Sequence, residues 1–170
     1  TVQDETNMIN KHLSLEETTQ ALEAQQLENY RLAHEEPITG LPNRACLYEA
    51  LSSKMRSKLD ETFLLVIIAP DNLSGILASY GSVLSDEIMR GLAQRFAAHF
   101  PGHDICFSMT GTDLVLLLTM PLEEEKMREE YIQAQKIVQQ PVKVEGIDYY
   151  ISVSCGVACY PKDGTDREEL

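Results

Sequence analysis

Thr110-Gly111-Thr112-Asp113 places two hydroxyls, a glycine and a carboxylate within four residues, between two short apolar runs. Hard cations such as Mg²⁺ take carboxylate oxygens, and this segment offers a single one. Asp86 is a second acid of interest, but it falls near an expected helix start, where the helix dipole by itself stabilises a carboxylate. His103 would bind an anion when protonated, although a solvated loop histidine is the plainer account. Cys46, Cys106, Cys155 and Cys159 contain no CxxC pair, and the last two sit in an apolar, strand-like run. They read as reduced, buried fillers rather than as a disulfide or metal site.

The elements that must position these groups follow from periodicity. Residues 1–35 hold no Pro or Gly and are rich in Glu, Gln, Leu and Ala, which favour helix. Met8, Leu15 and Leu22 recur every seven residues, with Leu13 and Leu27 offset, and Thr18, Thr19 and Gln26 interrupt the pattern. A solvated helix on its own domain and a signalling coiled coil that pairs two chains are both compatible with this; the second buries the stripe and is the stronger expectation. Pro37 ends the helix. Residues 44–58 return to a helical pattern, and residues 63–69 form a continuous apolar run suited to a strand buried on both faces. Two helices are expected over 71–79 and 84–99, and a hairpin over 104–109 and 114–120 with Gly111 at its turn. A charged helix over 122–140 and a β-ribbon made by 142–144 and 149–160 follow. This order predicts an α+β domain, a central, mostly antiparallel five-stranded sheet flanked by helices, preceded by a long N-terminal helix.

Composition narrows the function. A chain of 170 residues with 44% hydrophobic content suits one domain with an appendage: a helical coiled-coil linker over 1–35 and a globular domain over 36–170. The net charge of -13 argues against nucleic acid and disfavours an acidic membrane surface, since both are held by clustered Lys and Arg. No run approaches a membrane span and no signal-peptide pattern opens the chain, so a cytoplasmic protein without direct membrane contact is expected. The chain reads as a piece of a longer protein.

Glu36-Pro37-Ile38-Thr39-Gly40-Leu41-Pro42-Asn43-Arg44 resembles the D-x-L-T-G-L-P-N-R motif that opens GGDEF domains, bacterial cyclases that join two GTP into cyclic di-GMP. Ile151-Ser152-Val153-Ser154-Cys155-Gly156-Val157-Ala158 looks like the family's v-S-x-G-v-A strand, and Tyr160-Pro161-Lys162-Asp163-Gly164 is similar to the segment found where such a domain precedes an EAL phosphodiesterase domain. The three anchors occur in order, and the resemblance runs from about residue 32 to 170. It implies a nucleotide cyclase-like fold with a ferredoxin-like core.

The resemblance also implies where the chemistry should lie, and there this chain departs from the pattern. The family's metal-binding Asp at the end of the first strand corresponds to Ala69, which brings no side-chain oxygen; Pro70 still offers a carbonyl. The guanine-binding Asn corresponds to Leu77, and its companion Asp to Asp86. The signature hairpin reads Thr110, Gly111, Thr112, Asp113, Leu114, with Thr112 in place of the acidic ligand. Asp113 would not replace it, because neighbouring strand residues point to opposite faces. The R-x-x-D inhibitory site corresponds to Pro101-Gly102-His103-Asp104 and loses its Arg, whose fork grips phosphate and guanine. The family's phosphate-binding Lys and Arg lie in a helix beyond Leu170.

These departures imply a degenerate GGDEF domain with no catalytic residues, no metal and no cofactor. It would act as a regulatory, dimerising and signal-transmitting module in cyclic di-GMP signalling. Its partners would be a second copy, paired through Met8, Leu15 and Leu22, a downstream EAL domain and an upstream sensor. The alternative is a non-catalytic sensor that binds GTP weakly through a residual pocket at Asp86 and Gly111 and regulates an attached phosphodiesterase. An active diguanylate cyclase is the remote reading.

Overall fold

The computed structural model describes residues 1–56, 62–100, 106–119 and 124–166. The chain divides into two compact units, Thr1–His34 and Glu35–Leu170. The first is a single helix, α1 (Val2–His34), with Asp4 and Glu5 in its first turn and Arg31 and His34 in its last, the arrangement that the helix dipole favours. Thr6, Thr18 and Thr19 do not break it, because each hydroxyl bonds the carbonyl four residues back. No residue of α1 is buried; Met8, Leu15 and Leu22 are 70%, 57% and 55% exposed.

The second unit contains α2 (Arg44–Arg56), β1 (Phe63–Pro70), α3 (Leu73–Tyr80), α4 (Ser82–His99), β2 (Cys106–Ser108), β3 (Leu114–Thr119), α5 (Glu124–Gln139), β4 (Val142–Val144), β5 (Ile147–Tyr149) and β6 (Val153–Tyr160). One sheet has the order β2-β3-β1-β6, with every neighbouring pair antiparallel. In β1 the alternation of side chains divides the core in two. Leu64, Val66 and Ile68 join α4, α5 and Leu73, while Phe63 and Leu65 join Leu47 and Leu51 of α2. Both faces are therefore covered, which explains why β1 is apolar throughout rather than alternating.

The mixed, antiparallel architecture agrees with the sequence reading, but among the described residues the central sheet has four strands rather than five. Residues 142–144 do not join it. Glu145 and Gly146 both take positive φ (50° and 82°), the backbone of a tight two-residue turn, and fold β4 onto β5 as a separate two-stranded ribbon. The expected strand over 149–160 is split as well. Asn72 receives the Ser152 N–H and donates to the Tyr150 carbonyl, both at 3.2 Å, and so holds 150–152 out of either ladder. Residues 101–105, which include Pro101, Gly102, His103 and Asp104, lie outside the described residues, as do 120–123.

Two contacts tie the ribbon and α5 to α4. Arg95 donates to the carbonyls of Ile137, Gln140 and Pro141 at 3.2, 2.6 and 2.6 Å, capping the carbonyl end of α5 with a cation. Gly91 lets β4 approach: a Cβ there would stand 2.6 Å from Cγ1 of Val142. Gly91→Ala should therefore destabilise the domain although alanine favours helix by about 1 kcal/mol. Val142 is buried and stiff at χ1, so the overpacking dominates and a net loss of about 1 kcal/mol is expected. Thermal unfolding should show a midpoint lower by about 4 °C.

Candidate functional site

The site region is built from the turn that leads into α2, the β2–β3 hairpin and the end of β1. The turn is organised by Glu36, which is only 8% exposed. Its carboxylate accepts the Ile38 N–H at 3.1 and 3.2 Å, the Thr39 N–H at 2.8 Å and the Thr39 hydroxyl at 2.8 Å. The Glu36 backbone closes the loop from both sides, donating to the Leu41 carbonyl and accepting from Gly40, each at 2.8 Å. Gly40 supplies the positive φ that this closure needs. Asn43 then caps α2 through the N–H groups of Ala45 and Cys46.

The hairpin rests on that turn. Ser108 N–H donates to the Pro42 carbonyl at 2.9 Å, and Met109 N–H to the Asp113 carbonyl at 3.1 Å. Gly111 has φ +77°, and a Cβ on it would lie 2.9 Å from Oε1 of Glu36 and 3.0 Å from Cδ1 of Ile38. Gly111 is thus demanded twice, by its backbone angle and by the carboxylate beside it. Thr110 and Thr112 face each other, hydroxyl to hydroxyl at 2.9 Å, and the Thr110 hydroxyl also donates to Oδ2 of Asp113 at 3.2 Å. The polar side chains of this turn satisfy one another. Ser108 Oγ, by contrast, is fully buried with no partner among the described residues.

At the end of β1, Ala69 pairs with Ser154 and Pro70 with Val153. The nearest carboxylate in sequence, Asp71, is already engaged: its Oδ1 accepts the Ser154 hydroxyl at 2.6 Å, and its N–H donates to the Ser152 carbonyl at 2.8 Å. Leu77 is 48% exposed, in line with exposed Tyr80 and Val83. Asp86 is partly buried, with no hydrogen-bond or ion-pair partner among the described residues. It is the fifth residue of α4, past the first turn, so the helix-dipole role expected for it does not hold; that effect fades within one turn.

The structure therefore brings Thr110, Gly111, Thr112 and Asp113 together and sets them on Glu36. The buried Leu114 beneath them belongs to the core. Among the described residues no group of three or more His, Cys, Asp or Glu side chains converges as a metal would require. Ala69 and Thr112 bring no carboxylate, and the acids at 71 and 113 each accept a hydroxyl and are not grouped with a third such side chain, so the described residues do not assemble the several-oxygen set that a divalent cation takes. The four cysteines are free, and burial pushes the Cys106 thiol up to about 12. Burial also raises Cys46, Cys155 and Cys159, which keeps all four protonated and poorly nucleophilic at neutral pH. Periodicity did not single out Glu36 and Asp71. The signal for Glu36 was its place in a turn-forming motif, where a short-range acceptor for several N–H groups is needed.

Comparison with known proteins gives this geometry its context. The profile described as "Diguanylate cyclase, GGDEF domain" matches residues 33–170. The bifunctional diguanylate cyclase/cyclic di-GMP phosphodiesterase MucR of Pseudomonas aeruginosa is 29% identical over 147 residues, which cover 84% of this chain and 21% of that protein. A sensory box/GGDEF family protein from Caulobacter crescentus superposes with a TM-score of 0.71 at 19% identity, over 81% of this chain and 90% of that one. The coiled coil and GGDEF domain of DgcB, also from Caulobacter crescentus and solved with c-di-GMP, superposes with a TM-score of 0.65 at 17% identity, over 95% of this chain and 85% of that one. The chain spans about a fifth of the length of the curated relatives it matches.

Proposed function

This chain belongs to the GGDEF family, and on that premise we propose that it is a non-cyclising member, a regulatory module that pairs copies and passes a signal within a larger cyclic di-GMP signalling protein. One contrast supports the reading: the turn and the hairpin are built, while the residues that the resemblance matches to the family's donors carry other side chains. Glu36, Gly40 and Gly111 build the turn and the hairpin, yet Ala69, Leu77 and Thr112 stand where the family's pattern calls for a metal-binding acid, a base-binding amide and a second acid. Joining two triphosphates needs a cation to offset charge as the 3′ hydroxyl attacks, and the side chains present do not fit one.

The working part of the module in this reading is α1. Met8, Leu15 and Leu22 lie a heptad apart and are exposed in the single chain, so pairing with a second copy is what would bury them. The structural likeness to a chain that contains a coiled coil as well as a GGDEF domain is consistent with this arrangement. The length of the relatives leaves room for the sensor and the EAL domain with which the module would communicate.

Two measurements test the proposal. Light scattering should give a dimer for the chain, and Leu15→Glu with Leu22→Glu should reduce that association at least tenfold; an unchanged mass would sink the pairing role. Calorimetric titration with GTP and Mg²⁺ should show no binding up to millimolar nucleotide. Micromolar binding would favour the second reading, a GTP sensor using Asp86 and Gly111, for which the partnerless, partly buried carboxylate of Asp86 speaks.

A further inference from the structure

The chain that leaves α1 is paired at once with the turn beside the hairpin. α1 ends at His34, and the next residue, Glu35, forms an antiparallel bridge with Pro42. Pro42 in turn accepts the Ser108 N–H at 2.9 Å, and Ser108 is the last residue of β2. Residue 35 thus belongs to one continuous set of backbone pairs that runs through 42 and 108 into the order β2-β3-β1-β6. The segment between 35 and 42 is closed on itself. Glu36 N–H donates to the Leu41 carbonyl and Gly40 N–H to the Glu36 carbonyl, while the Glu36 carboxylate holds the Ile38 and Thr39 N–H groups. Leu41 is buried in the core cluster that α4 and α5 share with β1, and Ile38 packs against it. No bond of this turn gives way without orphaning a donor or acceptor, so a displacement at Glu35 moves the turn as a body.

The hairpin is fastened to that body at two points. Ser108 is fully buried, so no solvent is at hand to replace the Pro42 carbonyl on its N–H. The second point is Gly111, on which a Cβ would stand 2.9 Å from Oε1 of Glu36 and 3.0 Å from Cδ1 of Ile38. Between the two, Met109 N–H closes the turn on the Asp113 carbonyl at 3.1 Å. The tip that results carries Thr110 and Thr112 exposed. The central strands lie outside this set: β1 and β6 are joined by an eight-residue ladder that uses none of its residues.

We propose that residues 35–42 and 108–113 form one mechanical unit, which carries a displacement at the exit of α1 to the tip of the β2–β3 hairpin. The use of this unit rests on the reading that a signal arrives along α1; its existence does not. In a non-cyclising domain the hairpin then serves as an output. A change at residue 35 resets two exposed hydroxyls, those of Thr110 and Thr112, while the β1–β6 ladder keeps its register. Such a division follows from bonding: the unit is tied within itself by short backbone bonds and by the Glu36 carboxylate, and it meets the rest of the sheet mainly through the short strand β2 and its hairpin partner β3.

Hydrogen exchange on the full chain tests this, because amides released by one opening event speed up by a common factor. Leu32→Pro removes a helix bond in the last turn of α1 and replaces no residue of the unit. The amides of Glu36, Gly40, Ser108 and Met109 should then all exchange about tenfold faster, by the same factor, while those of Val66 and Ile68 in β1 keep their rates. Leu32→Gly is the milder form and should give the same pattern with a smaller factor. Thr39→Val takes a hydroxyl donor from the Glu36 carboxylate inside the turn, and should likewise speed Ser108 and Met109 together with Glu36 and Gly40. Repeating the measurement with Leu15→Glu and Leu22→Glu present separates the proposal from the pairing of α1. A monomeric mass for the unaltered chain would sink the pairing and leave the four rates as expected here. If Leu32→Pro speeds Glu36 and Gly40 and leaves Ser108 and Met109 unchanged, or leaves all four unchanged, the turn is an independent linker and the proposal is overturned.

Discussion

Incubated with GTP and Mg²⁺, the chain is expected to produce cyclic di-GMP at least ~10⁴-fold more slowly than a family member with the full acidic set, which in practice means no product above background. The size follows from counting independent electrostatic losses. Removing one preorganised charge or donor at a developing anion commonly costs about 10² to 10³ in rate. Ala69 and Thr112 each replace an anionic ligand in the family pattern, and Leu77 replaces the amide that would hold the base. Losses within one cooperating site do not multiply fully, so ~10⁴ is a floor rather than a product of the three. Asp113 is not expected to rescue the site, since it is the single acid of the 110–113 turn and its carboxylate accepts the Thr110 hydroxyl there. The measurement is product detection by mass spectrometry over hours. Metal-dependent product at even a hundredth of an active member's rate would mean that other residues supply the ligands, and the regulatory reading would fall with it.

Glu36→Ala should be the most damaging single truncation in the site region, at about 2–4 kcal/mol. The carboxylate is nearly buried and satisfies two backbone N–H groups and one hydroxyl, all within three residues. Truncation leaves those donors without an acceptor, and an orphaned donor costs its full desolvation penalty rather than the modest net value of a hydrogen bond. A fall in unfolding midpoint of about 10 °C is expected for a domain of this size. The same variant tests the link between the turn and the hairpin. Gly111→Ala alone should cost about 1–3 kcal/mol from its positive φ and from the 2.9 Å approach to Oε1 of Glu36. In the Glu36→Ala background the clash with the carboxylate is removed while the approach to Cδ1 of Ile38 and the backbone part stay, so the double variant should be less destabilised than the sum of the two singles. Strict additivity would show that the hairpin and the turn do not bear on each other.

Local chemistry made much of this protein legible before any coordinates. The long α1, the fully apolar β1 and the glycine at the 110–113 turn follow from helix propensity, from a strand with two covered faces and from the backbone angle that only glycine takes easily, all properties of a few adjacent residues. The opening motif and the two later anchors located the family, and the resemblance alone supplied the expectation that Ala69, Leu77 and Thr112 stand at the family's donor positions. What periodicity could not decide was pairing between distant segments. Val142 to Val144 reads as a strand wherever it lies; that it folds onto β5 and not into the central sheet depends on the turn at Glu145 and Gly146 and on the room that Gly91 leaves beside Val142. Asp86 lay close to a helix start in sequence, and only the helix boundary at Ser82 placed it beyond the reach of the dipole. Glu36 ends one segment in sequence and in space lies under the hairpin, 75 residues further along, because backbone donors gathered by a turn need a buried acceptor. The residues determined which groups this protein has and lacks. The tertiary structure decided which of them meet, since contacts between distant segments depend on ladder register and close packing rather than on any local pattern.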